Sequence, residues 1–268
     1  MKRVLLSFFA AAALVCTGCY TNPVTGRQSL VLISQGQELS LGAQSFADMR
    51  KTEKVSNDPA LNARVKRVGE RIAKAVGDQM PDAKWEFVVF ESKDVNAFAL
   101  PGGKVGVYTG LLQLAENDGE LGVVMGHEIG HVIARHGAER MSEGLVIAGL
   151  GAIGGAVAES KYDAQTRDIF LAAYGGAATL GRVLPHSRNN ESEADKMGAI
   201  YAAKAGYDPR SAITFWRKMS AQKEDAKAGT KLPAWLSTHP ADQKRIADLE
   251  AFMPQVVPVY EANRGKFQ

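Results

Sequence analysis

The sequence predicts a mainly α protein with a small β-sheet, an α+β class, and three observations carry that prediction. Apolar residues recur at three- and four-residue spacing in several long segments, each opened by a capping residue or closed by a glycine. Two β-rich runs, residues 85–92 and 96–108, stand next to each other instead of alternating with helices, so they predict one small sheet. With 46% of its 268 residues hydrophobic and no internal repeat, the chain can build an ordinary globular core.

The chain opens on a targeting signal. Lys2 and Arg3 precede an apolar run from Val4 to Val15, and small residues then lead to a cysteine. About 7 to 15 apolar residues suffice for a secretory signal, whereas a membrane span needs about 20. Thr17-Gly18-Cys19 resembles a bacterial lipobox, with Cys16 where that motif usually has leucine. Residues 1–18 are then a cleaved signal peptide and Cys19 is the lipidated residue. An ordinary signal peptide with a chance cysteine is the alternative. Tyr20, a residue other than aspartate, is compatible with export to the outer membrane. Residues 19–35 form a tether with a short apolar run, and residues 36–268 form one domain. Both cysteines, Cys16 and Cys19, lie at this end, so the domain cannot be held by an internal disulfide in the oxidising compartment it enters. Losing Lys2 and Arg3 takes the formal charge from +3 to +1, since 30 basic residues then face 29 acidic ones. That balance carries no footprint of a nucleic-acid binder.

After the tether, QELSLGAQSFADMRK has helical signals. Asp58 can cap the next helix and Pro59 suits its first position; Leu61, Val65, Val68, Ile72 and Val76 form its apolar stripe, and it ends near Gly77. Trp85 to Ser92 reads as a buried strand, and NAFALPGGKVGVYTG as two short strands about a Pro101-Gly102-Gly103 turn. Asn117 or Asp118 can cap a long helix that carries Leu121, Val124, His127, Glu128 and His131 toward about Met141. Two small-residue, apolar runs follow, Glu143 to Gly155 and Thr166 to Arg182; they read either as a membrane hairpin or as tightly packed helices. A further helix runs from about Asn190 to Gly206, and another follows Asp208-Pro209. Gln222 to Pro233 is polar, with glycine and proline, and reads as an exposed loop before LSTHPADQKRIADLE.

The chemistry concentrates in HEIGH. His127 and His131 are four residues apart and therefore share one helical face, where two imidazole nitrogens can bind one ion. Glu128, beside the first of them, can reach a metal-bound water. His136 points about 140° away from His131 on a helical wheel, and reads as a surface or outlying histidine. A later helix offers SRNNESEAD, in which Glu191 can complete the site while Asp195, one turn on, accepts an N–H from a ligating histidine. Glu193 lies about 200° from Glu191 and is expected to face solvent.

HEIGH, followed about 60 residues later by ESEAD, with NAFALPGG before and STHP and Arg245 after, resembles the HtpX-like and CAAX-prenyl-protease-like zinc metallopeptidases. The likeness is to their soluble periplasmic BepA/LoiP-type branch, and the lipobox with NPVTGR resembles its lipoprotein members. The resemblance implies a zincin-like architecture with one Zn2+ per chain held by His127, His131 and Glu191, with Glu128 as the catalytic base and Asp195 supporting a ligand. It also brings the HP segment near the zinc, which makes His239 and Arg245 candidates to stabilise the oxyanion, His186 being a weaker one. His239 has two opposed readings, a fourth ligand that silences the enzyme or an oxyanion donor; a third is that it merely starts the last helix beside Pro240. Asn96, Gly102, Gly103 and Val105 are the candidate substrate contacts, because the strand Lys104 to Tyr108 could pair with an extended peptide; alternatively the glycines only make a hairpin. The expected function is a zinc endopeptidase, lipid-anchored in the bacterial envelope and acting on periplasmic or misfolded outer-membrane proteins. The rival is a non-catalytic, zinc-containing assembly platform for outer-membrane proteins.

Overall fold

The structure is a computed structural model that describes residues 19–147, 164–174, 187–227, 232–240 and 243–267. It begins with strands β1 (Cys19–Thr21) and β2 (Gln28–Leu30), an antiparallel hairpin in which Cys19 pairs with Leu30. Helix α1 (Gln35–Thr52) starts on Ser34, whose hydroxyl accepts from the Gln37 N–H while the Gln37 side chain accepts from the Ser34 N–H. Helix α2 (Pro59–Val76) starts on the Asp58 carboxylate, which accepts from the N–H groups of Ala60 and Leu61. Its buried stripe is Val65, Val68, Ile72 and Val76, and it stops at Gly77, whose φ of 57° a side chain would oppose.

Strands β3 (Glu86–Phe90), β4 (Ala97–Leu100) and β5 (Lys104–Tyr108) form a three-stranded sheet in the order β3-β5-β4. β5 runs parallel to β3 and antiparallel to β4. Gly102 and Gly103, at φ 85° and 79°, make the turn between β4 and β5, and their carbonyls accept from the N–H groups of Lys84 and Glu86. β5 is thus the central strand, with Val105 buried between Phe87 and Ala99, so the expectation that Lys104–Tyr108 pairs with a peptide is corrected: both of its edges are already used. The edge strands are β3, which packs on α2, and β4.

Helix α3 (Thr109–Leu114) leads into α4 (Asp118–Ile133), capped by the Asn117 side chain on the Glu120 N–H. From Glu120 to Ile133 every residue of α4 is buried, as expected of a helix packed on all sides. It does not continue to Met141. Arg135 takes φ 55° and a new helix, α5 (His136–Ile147), begins directly after it. The break is held by the Arg135 side chain, whose Nε donates to Glu38 Oε2 at 2.6 Å and whose Nη2 donates to the Ile33 carbonyl at 2.6 Å. Long-range polar contacts therefore stabilise a backbone conformation that local sequence disfavours.

Helices α6 (Ala164–Ala173), α7 (Arg188–Lys204), α8 (Ser211–Lys227), α9 (Ala234–Thr238) and α10 (Gln243–Asn263) complete the element order. Ser187 caps α7 through the Asn190 N–H. α8 continues through Gln222 as far as Lys227, so the first half of the expected loop is helical; residues 228–231 are outside the described residues. His239 does not start the last helix but ends α9. Most of the two small-residue runs, residues 148–163 and 175–186, falls outside the described residues, and His186 with them. Among the described residues no helix is long and apolar enough to cross a membrane.

Candidate metal centre

Two helices meet backbone to backbone because both carry glycine at the crossing. A Cβ on Gly198 of α7 would lie 2.7 Å from the His127 nitrogen and 3.0 Å from the Val123 carbonyl oxygen; one on Gly126 of α4 would lie 2.9 Å from the Gly198 oxygen. Such an approach leaves no room for any side chain between the helices. It sets His127 and His131, one turn apart on α4, against Glu191 and Asp195, one turn apart on α7.

The resulting cluster is tight. His127 Nε2 lies 3.0 Å from His131 Nε2 and 3.6 Å from Glu191 Oε2, and His131 Nε2 lies 3.4 Å from Glu191 Oε1. His239, at the end of α9, brings its Nδ1 to 3.0 Å from Glu191 Oε1 and 3.3 Å from His127 Nε2. Each of these four buried residues offers one ligand atom, and those atoms all lie within 4.8 Å of one another. Three imidazole nitrogens and a carboxylate oxygen turned on one point, out of water, fit a divalent cation of the N- and O-binding kind. Burial drives His131 well below the usual histidine range, against the pull of Glu191, so its ring is neutral and able to coordinate.

Around the cluster the charges are fixed from outside. Asp195 Oδ1 is 3.0 Å from His127 Nδ1, which leaves Nε2 to face the centre. Arg245 on α10 donates from Nε and Nη2 to the two Asp195 oxygens at 2.7 and 2.6 Å, and its Nη1 lies 2.6 Å from Glu191 Oε2. Its guanidinium also lies over the Trp216 ring, 3.5 Å from the centroid. Burial alone would raise Glu191, but the charges of His239 and Arg245 outweigh it and hold the carboxyl well below its usual range. The forks of Arg245 are thus spent on the two α7 carboxylates and on the Pro240 carbonyl, which makes it a clamp on the ligand helix; the sequence expectation had put it beside the reacting carbonyl.

Glu128 is buried beside the cluster. Its Oε1 accepts from Trp235 Nε1 at 2.7 Å and lies 3.6 Å from His239 Nε2. Burial pushes its carboxyl up to about 8, against the opposing pull of His127 and of the Trp235 hydrogen bond. Trp235 was not singled out from sequence. The signal was available: it precedes His239 by four residues, one helical turn, in the segment already tied to the site. Trp235 stacks on Trp216 with centroids 5.0 Å apart, and Trp216 Nε1 donates to Asp195 Oδ1 at 3.0 Å.

His136 is the outlying histidine of the two readings given it, not a surface one. It is fully buried, with Nδ1 2.8 Å from His131 Nδ1. The expectation that Glu193 faces solvent is corrected. The residue is 6% exposed, with its carboxylate 2.9 Å from His136 Nε2 and covered by the β1–β2 hairpin, which a helical wheel does not include. Burial raises it, but hydrogen bonds from His136, Thr25 and Arg27 prevail and hold it down at about 2. Of the candidate substrate contacts, Asn96 is buried at the start of β4, with Oδ1 lacking a hydrogen-bond partner among the described residues, next to Val95, whose carbonyl accepts from the Trp235 N–H. Gly102 and Gly103 sit at the far end of that strand, where Gly42 of α1 faces the Pro101 carbonyl, and Val105 is inside the sheet. Cys19 is exposed at the start of β1.

Comparison with known proteins finds metalloendopeptidases and proteases among the relatives of this chain. The chain is 33% identical over 251 residues to the mitochondrial metalloendopeptidase OMA1 of Bos taurus, covering 90% of this chain and 47% of that protein. To OMA1 of Schizosaccharomyces pombe it is 36% identical over 191 residues, 71% of this chain and 52% of the relative. To the beta-barrel assembly-enhancing protease of Escherichia coli K12 it is 29% identical over 241 residues, 89% and 48% respectively. The chain spans about half the length of these relatives. A mainly helical frame with small sheets and a buried His127, His131, Glu191 and His239 group is consistent with a zincin-like metallopeptidase fold. Residues 59–253 match the model of peptidase family M48, and the chain belongs to that family.

Proposed function

We propose that this chain is a zinc-dependent endopeptidase, held at the bacterial outer membrane through lipid on Cys19 and facing the periplasm, where it hydrolyses periplasmic or outer-membrane proteins in envelope quality control. One observation carries the catalytic part. Glu128 is a buried carboxylate that adjoins the ligand group without belonging to it, and a purely structural metal site has no use for such a group. Zinc, when bound, supplies Lewis acidity, polarising the scissile carbonyl and making water acidic enough to lose a proton near neutral pH. A cation held beside Glu128 would offset the burial that raises its carboxyl and keep it ionised, so that it takes that proton and returns it to the leaving amine, with Trp235 Nε1 fixing the carboxylate for both transfers. His127, His131 and Glu191 are the protein ligands; Asp195 and Arg245 hold them. An extended peptide pairs along the β4 edge, which packs on α4, with Asn96 at the end of that edge nearest α9.

His239 acts as a latch in this reading. What supports it is the position of Nδ1 among the ligand atoms, where it would take the place that water needs. α9 is five residues long, so a short stretch carries both the latch and Trp235. The envelope assignment leans on the signal segment and on the beta-barrel assembly named in the Escherichia coli relative. It is tested by comparing the periplasmic and outer-membrane proteins of cells bearing wild type and Glu128→Gln: proteins that accumulate only with the variant are the expected substrates, and identical proteomes would reject the quality-control role.

A further inference from the structure

The hairpin at the start of the chain reaches the metal centre through two residues that belong to neither. In the turn between β1 and β2, Asn22 Nδ2 donates to Glu193 Oε1 at 2.8 Å, the Thr25 hydroxyl donates to the same oxygen, and Arg27 Nε donates to Oε2 at 2.5 Å. The other fork of Arg27 grips both oxygens of Glu139 on α5 at 2.8 Å, and Asn190 of α7 donates to Glu139 as well. One six-residue stretch, Asn22 to Arg27, thus ties the beginnings of α5 and α7 together. Neither the ligand set nor the catalytic base accounts for this part of the sequence.

The direction of the hydrogen bonds beyond Glu193 follows from the chemistry of the groups. An ionised carboxylate only accepts, so His136 must donate to it from Nε2. A neutral His136 then has a bare lone pair at Nδ1, and the only proton that can lie in the 2.8 Å gap to His131 belongs to His131 Nδ1. His131 is left with its lone pair on Nε2, the atom that faces His127 and Glu191. His127 reaches the same tautomer by a single step, through Asp195. The two α4 ligands are therefore oriented by different carboxylates, one adjacent and one relayed.

We propose that Asn22, Thr25 and Arg27 are positioning residues which, by seating Glu193 and through it His136, fix the ring and tautomer of His131, so that the N-terminal hairpin sets the metal affinity of a site more than a hundred residues away in sequence. The inference rests on the metal-centre reading above. Every contact in the chain from hairpin to ligand lies at or near full burial except the Arg27 and Thr25 ends, so loss of the hairpin donors leaves Glu193 facing His136 alone. Outer partners of metal-bound histidines typically contribute about 10- to 100-fold in affinity, which sets the expected size of the effect.

The test uses the mature full-length protein loaded with cobalt(II) as a coloured substitute for zinc. Its readouts are the dissociation constant by chelator competition, the visible absorption envelope, and the melting temperature of the metal-free protein. Glu193→Gln and the double variant Asn22→Ala/Thr25→Ala are expected to weaken cobalt binding about 10- to 100-fold and to change the absorption envelope, because the geometry of one ligand is loosened. Ser142→Ala is the control: it removes a different anchor of the hairpin segment, the acceptor of the Leu32 N–H, and should leave both cobalt readouts unchanged. Glu193→Asp, which restores the carboxylate, should recover part of the lost affinity. Cobalt affinity within twofold of wild type in both Glu193→Gln and the double variant, with superimposable spectra, overturns the proposal. So does a loss matched in size by Ser142→Ala, since that would make the effect one of general stability. Failure of the underlying metal-centre reading looks different, because wild type itself would then take up no cobalt.

Discussion

At the scale of single residues, the metal centre was legible wherever helical periodicity alone decides neighbours. His127 with His131, and Glu191 with Asp195, are pairs at i and i+4, and a straight helix is enough to place each pair on one face. Glu193 was read the wrong way because a wheel separates one face from another but does not say what covers each; here the β1–β2 hairpin covers the second face. The role of His239 is testable at this scale. With Nδ1 among the ligand atoms it competes with water, so His239→Ala should raise peptidase activity severalfold while zinc is retained on His127, His131 and Glu191. A fall of about ten- to a thousandfold with zinc retained would instead make it an oxyanion donor. Activity unchanged within twofold would remove it from both roles.

At the scale of elements, periodicity and caps located α2, the β4–β5 turn and α7 to within a few residues, since Asp58, Gly77, Gly102, Gly103 and Gly206 act locally. Two boundaries were not legible for a common reason. The break at Arg135 depends on Glu38 and Ile33, about a hundred residues earlier, and the continuation of α8 past Gln222 overrides a polar composition that resembled a loop. The same limit hid strand order: the two strands flanking the Pro101-Gly102-Gly103 turn were visible, but not that β3 inserts beside β5 and closes its second edge. The pairing of α4 with α7 depends on Gly126 and Gly198, and it makes a sharp prediction. Gly198→Val would drive a side chain into the His127 nitrogen and the Val123 carbonyl, backbone atoms that cannot yield unless the helices part. Overpacking of this kind costs about 1–3 kcal/mol or more. Thermal unfolding should register that loss together with weaker metal binding. Wild-type stability and zinc content in Gly198→Val would show that the helices are not held by this contact.

At the scale of the whole molecule, the centre joins α4, α7 and the end of α9, three parts of the chain far apart in sequence. A ligand that binds only the folded state stabilises it in proportion to its free concentration, by about 2.7 kcal/mol at one hundred times the dissociation constant. For a domain of this size zinc is therefore expected to raise the melting temperature by about 5–10 °C and a chelator to reverse the rise. A chelator-insensitive melt would mean that the four residues are held without metal. The β1–β2 hairpin carries the second expectation. Cys19 is exposed at the first residue of β1, and Cys19→Ser should move the protein from the membrane fraction to the soluble periplasm. Wild-type protein that is already soluble after mild lysis would exclude the lipid anchor.

The central claim is that one buried group binds zinc and a separate buried carboxylate beside it performs the proton transfers. Zinc content and hydrolysis of an unfolded protein substrate, measured together on purified mature wild type, Glu128→Gln, His131→Ala and Glu191→Ala, test both halves at once. The account predicts about one zinc per chain with activity in wild type, about one zinc without activity in Glu128→Gln, and neither in the two ligand variants, each of which removes one of three protein ligands. Full zinc occupancy in both ligand variants, or hydrolysis by Glu128→Gln at the wild-type rate, would contradict it.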